Sequence, residues 1–170
     1  MAKPNQQLIE KLREAAERIE SGCDYNWGNV GRCNCGHLAQ CISSLSSAEI
    51  YQRANFQILE EWTEYAQGYC PQSGAPMDLI IDTMLEIGLE LSDISHLEYL
   101  SDVKILQALP GGFRHLRRGQ RPDVAIYMRT WAGLLEGKLK DLEHKSRPRL
   151  KQPLKSAKRT TASKPTLALA

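Results

Sequence analysis

The 170-residue sequence has no apolar run near the roughly 18 to 20 residues that a membrane-spanning helix needs. Its N-terminal stretch has no apolar signal core. A Gly-rich phosphate loop of the Walker or dinucleotide type is missing, and so are the paired Cys-x2-Cys knuckles of zinc fingers and ribbons. These absences exclude a membrane helix and the commonest nucleotide and zinc motifs. We expect a cytoplasmic protein.

The cytoplasm is a reducing compartment, which limits what the five cysteines can do. In that setting cysteines serve as free thiols, metal ligands or redox groups rather than as a disulfide framework. The odd number of cysteines also argues against a disulfide framework.

Charge divides the chain into an acidic part and a basic tail. His144 to Ala170 contain eight Lys or Arg residues and no Asp or Glu, whereas residues 1–143 carry a net charge of −6. The tail has three prolines and no apolar periodicity, so we expect it to be disordered and dispensable for folding. It is a solvated appendage, or a weak, salt-dependent contact for nucleic acid or another polyanion, or a segment that folds back on the acidic residues Asp78, Asp82, Glu86 and Glu90.

Apolar residues recur at helical spacing along most of the chain, and no segment reads convincingly as a strand. We predict helices at about residues 8–21, 34–45, 48–65, 77–91, 93–100, 102–108 and 122–143. Ser46 and Glu49 form a capping-box pattern before the third. The sequence therefore predicts an all-α fold, with one globular multi-helix domain at 1–143 and a disordered basic tail at 144–170. Residues 77–91 and 124–139 should supply much of the core.

One nine-residue stretch gathers most of the metal-ligating and nucleophilic chemistry: Cys33, Cys35, His37 and Cys41. Thiolate and imidazole ligands suit zinc, which takes four of them in a tetrahedral structural site. His37 and Cys41 are four residues apart and share a helical face. Cys33, Cys35 and His37 are the first candidates, and either Cys41 or Cys70, which lies on a Pro-containing loop, completes the set of four. These residues predict a zinc site.

The same stretch also permits nucleophilic catalysis. Tyr25-Asn26-Trp27-Gly28 followed by Asn34-Cys35-Gly36-His37 resembles the active-site segment of papain-like cell-wall cysteine peptidases. That resemblance implies that Cys35 is the nucleophile, with its thiolate stabilised by a helix N-terminus. It also implies a base histidine later in the chain, at His96 or His115, carried on a β-sheet. The candidate catalytic residues are Cys35, His37 and His96.

A wider resemblance covers residues 6 to about 140. Asn34-Cys35-Gly36-His37-Leu38-Ala39-Gln40, Tyr69-Cys70-Pro71-Gln72-Ser73-Gly74 and Tyr127-Met128-Arg129-Thr130-Trp131 together resemble an uncharacterised family of small bacterial proteins. The resemblance implies a bacterial, cytoplasmic protein and implies no activity.

Three functions therefore stay open: zinc binding, a hydrolase or transferase that uses Cys35, and an interaction scaffold whose cysteines are structural. The sequence leaves open whether the protein is an enzyme.

Two charged clusters lie outside that stretch. Acidic residues recur every four positions at Asp78, Asp82, Glu86 and Glu90, and four arginines follow Gly111-Gly112, at Arg114, Arg117, Arg118 and Arg121. The arginines could bind phosphate bidentately or form salt bridges with the acidic helix. Since the folded part is acidic overall, we expect the salt bridges.

Overall fold

The computed structural model describes residues 1–55, 61–64 and 78–146. All regular structure in these ranges is helical, without strands, which confirms the predicted all-α fold. The helices are α1 (Gln6–Glu20), α2 (Asn34–Ser43), α3 (Ser47–Asn55), α4 (Asp78–Glu86), α5 (Leu91–Tyr99), α6 (Val103–Gln107) and α7 (Arg121–Ser146). Within the same ranges, none of the helices has the length and apolar character needed to cross a membrane.

Helices α1 and α7 form the main packing pair of the domain. Arg13 pairs with Glu136 at 2.8 Å, and Glu20 pairs with Arg129. Because the α7 partner moves back along the chain as α1 advances, the two helices run antiparallel. The predicted apolar face of α1 is fully buried, through Leu8, Ile9, Leu12, Ala15, Ala16 and Ile19.

The capping box before α3 is present as predicted. The backbone N–H of Ser46 donates to the Glu49 carboxylate at 2.8 Å, and the N–H of Glu49 donates to Ser46 Oγ at 3.3 Å. These bonds satisfy donors that a helix start leaves without partners. The Ser46 hydroxyl also donates to the Glu49 carboxylate at 2.6 Å, and this bond, together with the one from the Ser46 N–H, lowers the pKa of Glu49.

The predicted helix at 77–91 is shorter than expected, and residue 77 lies outside the described residues. Helix α4 ends at Glu86, and Gly88 follows with a φ of +106°, a conformation that glycine adopts readily. Glu90 instead precedes α5, where its N–H donates to Asp93 at 2.9 Å. Its carboxylate lies 3.3 Å from the Met1 amino group. Glu90 is therefore separated from the acidic face of α4.

Three of the four arginines contact residues outside helix α4. Arg114 donates to the Pro110 carbonyl at 2.9 Å, and the Arg117 guanidinium lies 3.5 Å from the Asp123 carboxylate. The Arg118 guanidinium stacks over the Trp27 ring, 3.5 Å from its centroid. These three contacts differ from the predicted salt bridges to the acidic helix.

Helix α7 continues to Ser146, three residues beyond the predicted end of the domain. Prediction of the exact last residue of a helix is commonly off by one or two positions. The predicted disorder of the tail beyond Ser146 and the middle of the predicted 48–65 helix lie outside the described residues.

Candidate functional site

The described cysteines differ sharply in exposure. Cys33, Cys35 and Cys41 are buried, whereas Cys23 is partly exposed, and all four are free thiols. A thiol that reacts with a substrate must be reachable by it. Among the described residues, only Cys23 meets that requirement.

Cys33 begins helix α2 as its N-cap. Its Sγ accepts a hydrogen bond from the Gly36 N–H at 3.4 Å and lies 3.5 Å from the Val30 carbonyl oxygen, to which the thiol donates. Burial raises the pKa of this thiol to about 12. A neutral thiol that both donates and accepts is well suited to capping a helix inside the core.

Cys35 lies in the core with 0% exposure. Its thiol donates to the Ile94 carbonyl of α5 at 3.5 Å, and burial raises its pKa well above the ordinary value. Both the lack of access and the raised pKa oppose nucleophilic attack. These observations give no support to the predicted role of Cys35 as nucleophile, which stays a prediction, and no strand of the expected β-sheet occurs in the described ranges.

Polar residues of the same stretch hold neighbouring segments in place. The Asn34 side-chain amide donates to the carbonyls of Leu97 and Glu98, at the end of α5. The Gln40 amide donates to the Gly31 carbonyl at 2.7 Å. These bonds fix the start of α2 against α5 and against the preceding loop.

The two glycines of this stretch allow close approach of backbones. A Cβ atom at Gly31 would lie closer than 3.0 Å to the Ser47 carbonyl oxygen, and one at Gly36 would lie equally close to Val30 and Gly31. Real Cβ atoms essentially never come so close to other atoms. Packing therefore requires glycine at both positions.

His37 points away from the other residues of its stretch and meets Cys23. The Cys23 Sγ lies 3.5 Å from His37 Nε2 and 3.9 Å from Nδ1. The Tyr25 ring stacks on the imidazole, with centroids 6.0 Å apart and planes 18° apart. His37 is 2% exposed, whereas Cys23 as a residue is partly exposed.

Electrostatics favour a neutral thiol beside a neutral imidazole. Burial raises the pKa of Cys23, and the positive charges of Arg121 and Arg18 counteract this. Burial also lowers the pKa of His37, as do the same two arginines, while Asp24 acts in the opposite direction. A neutral imidazole at neutral pH can accept the thiol proton during attack on an electrophile.

The loop that carries Cys23 is anchored at several points. Gly22, with a φ of +94°, turns the chain out of α1. The Asn26 N–H donates to the Arg32 carbonyl at 3.1 Å. The Tyr25 hydroxyl donates to the carbonyl of Arg118, whose guanidinium covers the Trp27 ring. These contacts return the loop to α2, where Cys23 meets His37.

The remaining candidate bases do not approach the cysteines. His96 Nδ1 lies 2.9 Å from Ser101 Oγ, so the ring bonds within its own segment rather than to Cys35. His115 is exposed and packs edge-on against Phe113, with centroids 5.3 Å apart. This placement gives no support to the predicted role of His96 as the base, which stays a prediction.

The predicted zinc ligands are not brought together in the part of the chain that the structure describes. No group of three or more His, Cys, Asp or Glu side chains placed to hold a metal ion occurs there. Cys33 and Cys35 are engaged as above, and Cys41 is buried near Glu14 and Arg18. Cys70 lies outside the described residues, so a zinc site that includes it stays a prediction.

Sequence reasoning missed Cys23 as the partner of His37. The two residues are fourteen positions apart, with an irregular loop between them. The available signal was slight: Gly22 marks the end of α1 and places Cys23 in the loop that leads back to Tyr25 and His37.

Comparisons with known proteins identify no family for this chain. No family model, no curated protein and no solved structure matches the chain.

Proposed function

We propose that the protein is a thiol-dependent enzyme of the hydrolase or transferase class, with Cys23 as nucleophile and His37 as base. The observation that carries the proposal is the 3.5 Å separation of Cys23 Sγ and His37 Nε2. Partial exposure of the thiol and burial of the imidazole support it. A nucleophile beside a base held in place by a third group is the usual arrangement for covalent catalysis, and here the third group is the stacked Tyr25 ring.

The chemistry proposed is acyl transfer. Cys23 Sγ attacks a carbonyl carbon, the S–C bond forms, and the thiol proton passes to His37. The bond from carbon to the leaving group breaks, and the leaving group takes the proton from His37. Water or another acceptor then attacks the thioester, the acyl group leaves with it, and the thiol is restored. A neutral His37, favoured by its lowered pKa, is the form that accepts the first proton.

The test is trapping of the acyl group on Cys23. Trypsin cleaves after Arg18 and Arg32 and releases residues 19–32, in which Cys23 is the sole cysteine. After brief exposure to p-nitrophenyl acetate and acid quenching, we expect the acetyl group on this peptide. His37→Gln should slow its formation by roughly 100-fold, the usual contribution of a general base. Cys23→Ser should abolish the thioester, and Cys41→Ser, a buried control, should leave it unchanged.

Acetylation of peptide 19–32 at the same rate in His37→Gln would contradict the proposal. A thermal melt of each variant shows whether it is folded. Since His37 is buried, His37→Asn serves as a second replacement should His37→Gln fail to fold.

Zinc binding is the second proposal, because zinc binds thiolates and neutral imidazoles. The Cys23 thiol would release its proton on binding zinc, whereas His37, whose pKa is lowered, is already neutral. Further ligands would come from residues such as Cys70. Elemental analysis of protein purified without a His-tag separates the two proposals. One equivalent of zinc, lost in Cys23→Ser, favours the metal site, and metal well below one equivalent favours the enzyme.

An interaction scaffold with structural cysteines is the third proposal. It is supported by the helix-capping and core contacts of Cys33 and Cys35. Lower stability of a variant with Cys33 and Cys35 replaced by serine, with Cys23→Ser leaving stability unchanged, would favour it. For each of these functions we propose the bacterial cytoplasm as the location, supported by the free thiols.

A further inference from the structure

Arg121 stands beside the loop that carries Cys23. It begins helix α7, and its Nη1 lies 3.9 Å from the point where a Cβ atom at Gly22 would be. Because Gly22 has no side chain, the guanidinium lies over the backbone next to Cys23. Arg121 is partly exposed, and its charge acts on the Cys23 thiol, whose pKa it lowers against the effect of burial.

Among the described residues, no carboxylate pairs with Arg121. The nearby acidic groups have other partners: Asp24 pairs with Arg32 at 2.7 Å, and Glu20 pairs with Arg129. No ion pair of Arg121 itself is found among the described residues. The arginine is therefore available to bind an anion from outside.

Arg18, the other cation near the thiol, is already engaged. Its guanidinium donates to Gln40 Oε1 at 2.7 Å, on the side of α2. Arg121 is consequently the cation best placed to bind a group that approaches Cys23.

We propose that Arg121 binds a negatively charged group of the substrate, so that Cys23 reacts preferentially with electrophiles carrying a carboxylate or a comparable anion next to the reacting carbon. Guanidinium groups bind such anions through paired N–H donors. This inference rests on the proposed function, since it assigns substrate selection to the same thiol. It names the substrate class as anionic acyl or alkyl donors.

The test compares two alkylating reagents, iodoacetate and iodoacetamide. Both react at a CH2–I carbon: the S–C bond forms, iodide leaves, and the thiol proton passes to His37. They differ chiefly in the charge of the adjoining group. The rate constant for Cys23 is read from peptide 19–32 by mass spectrometry, and the ratio of the iodoacetate rate to the iodoacetamide rate is the measured quantity. Any change in the thiol pKa alters both rates and cancels in the ratio.

Arg121→Gln should lower this ratio roughly three- to tenfold at low salt, the size expected for loss of one nearby charge at a solvated site. Arg121→Lys should retain part of the preference for iodoacetate. Arg13→Gln is the matched control, because it also removes one positive charge, from a residue of α1 that pairs with Glu136. The ratio of rates in this variant should equal that of the native protein. Raising the salt concentration should lower the native ratio toward that of Arg121→Gln.

An unchanged ratio in Arg121→Gln overturns the inference, as does an equal fall in Arg13→Gln. The proposed function is judged separately, from the iodoacetamide rate in His37→Gln. If that rate falls but the iodoacetate-to-iodoacetamide ratio is the same in Arg121→Gln and the native protein, the pairing of Cys23 and His37 is supported and the anion-binding role of Arg121 is wrong. If the rate is unaffected, the proposed function itself fails.

Discussion

Gly36→Ala is expected to lower the free energy of unfolding by about 3 kcal/mol, the upper end of the range for overpacked sites. A Cβ atom there would lie 2.6 Å from the Gly31 carbonyl carbon and closer still to the Val30 carbonyl oxygen. Both are backbone atoms, so relief requires movement of the loop away from α2. The higher helix propensity of alanine, worth about 1 kcal/mol, is too small to offset this. Urea denaturation followed by circular dichroism measures the change.

Gly133→Ala is the matched control for this substitution. Gly133 lies within α7, and a Cβ atom there would meet nothing within 4 Å. Alanine should therefore raise stability there by up to about 1 kcal/mol. Equal stability of Gly36→Ala and the native protein would show that the loop and α2 are not packed as described.

Glu98→Ala is expected to cost about 3 kcal/mol or more, because it leaves several donors without an acceptor, each worth roughly 1–3 kcal/mol when buried. Glu98 is 3% exposed. It accepts hydrogen bonds from the Trp62 N–H at 3.0 Å, from the Thr63 N–H at 2.7 Å and from the Thr63 hydroxyl. These bonds fasten residues 61–64 to helix α5. Chemical denaturation again gives the magnitude.

Tyr99→Phe is the control on the same helix. Tyr99 is exposed, and its hydroxyl donates to Glu61 at 2.6 Å, so the variant removes one solvated bond to the same segment. It should cost under about 1 kcal/mol. A loss in Glu98→Ala no larger than in Tyr99→Phe would contradict the role given to the buried carboxylate.

Stability should also depend on pH through Glu98. Burial raises the pKa of this carboxyl above its ordinary value of 4.5. The folded protein then keeps its proton at pH values where the unfolded chain has lost it. The free energy of unfolding should therefore fall as pH rises from the ordinary pKa through the raised one. The difference between the native protein and Glu98→Ala isolates this contribution from that of Asp93, whose pKa burial also raises.

The sequence was a good guide to the helices because their determinants are local. The spacing of Leu8 to Ile19 predicts the buried face of α1, and Ser46 with Glu49 predicts the start of α3. The prediction was less accurate where a turn ends a helix within an apolar run, as the turn at Gly88 does. A glycine within such a run can be tolerated in a helix or can end it, and only the packing decides.

The site was harder to predict because its partners meet only in three dimensions. Cys33 and Cys35 have the residue types of a metal site, yet their thiols cap a helix and bond to a core carbonyl. The loop that returns Cys23 to His37 depends on the contacts of Tyr25 and Trp27 with Arg118, more than 90 residues away. No local pattern encodes such contacts.

The most direct test of the account measures how the alkylation rate of Cys23 by iodoacetamide depends on pH, in the native protein and in His37→Gln. Burial raises the pKa of Cys23, so a thiol without help should react only when the pH exceeds its ordinary pKa of 9.0. With His37 as base, reaction should persist at neutral pH and decline only in acid, as His37 becomes protonated below its lowered pKa. We predict that His37→Gln abolishes the neutral-pH reaction and leaves the alkaline one, whereas His96→Gln changes neither. Identical pH profiles for the native protein and His37→Gln would contradict the central claim that Cys23 and His37 act as a pair.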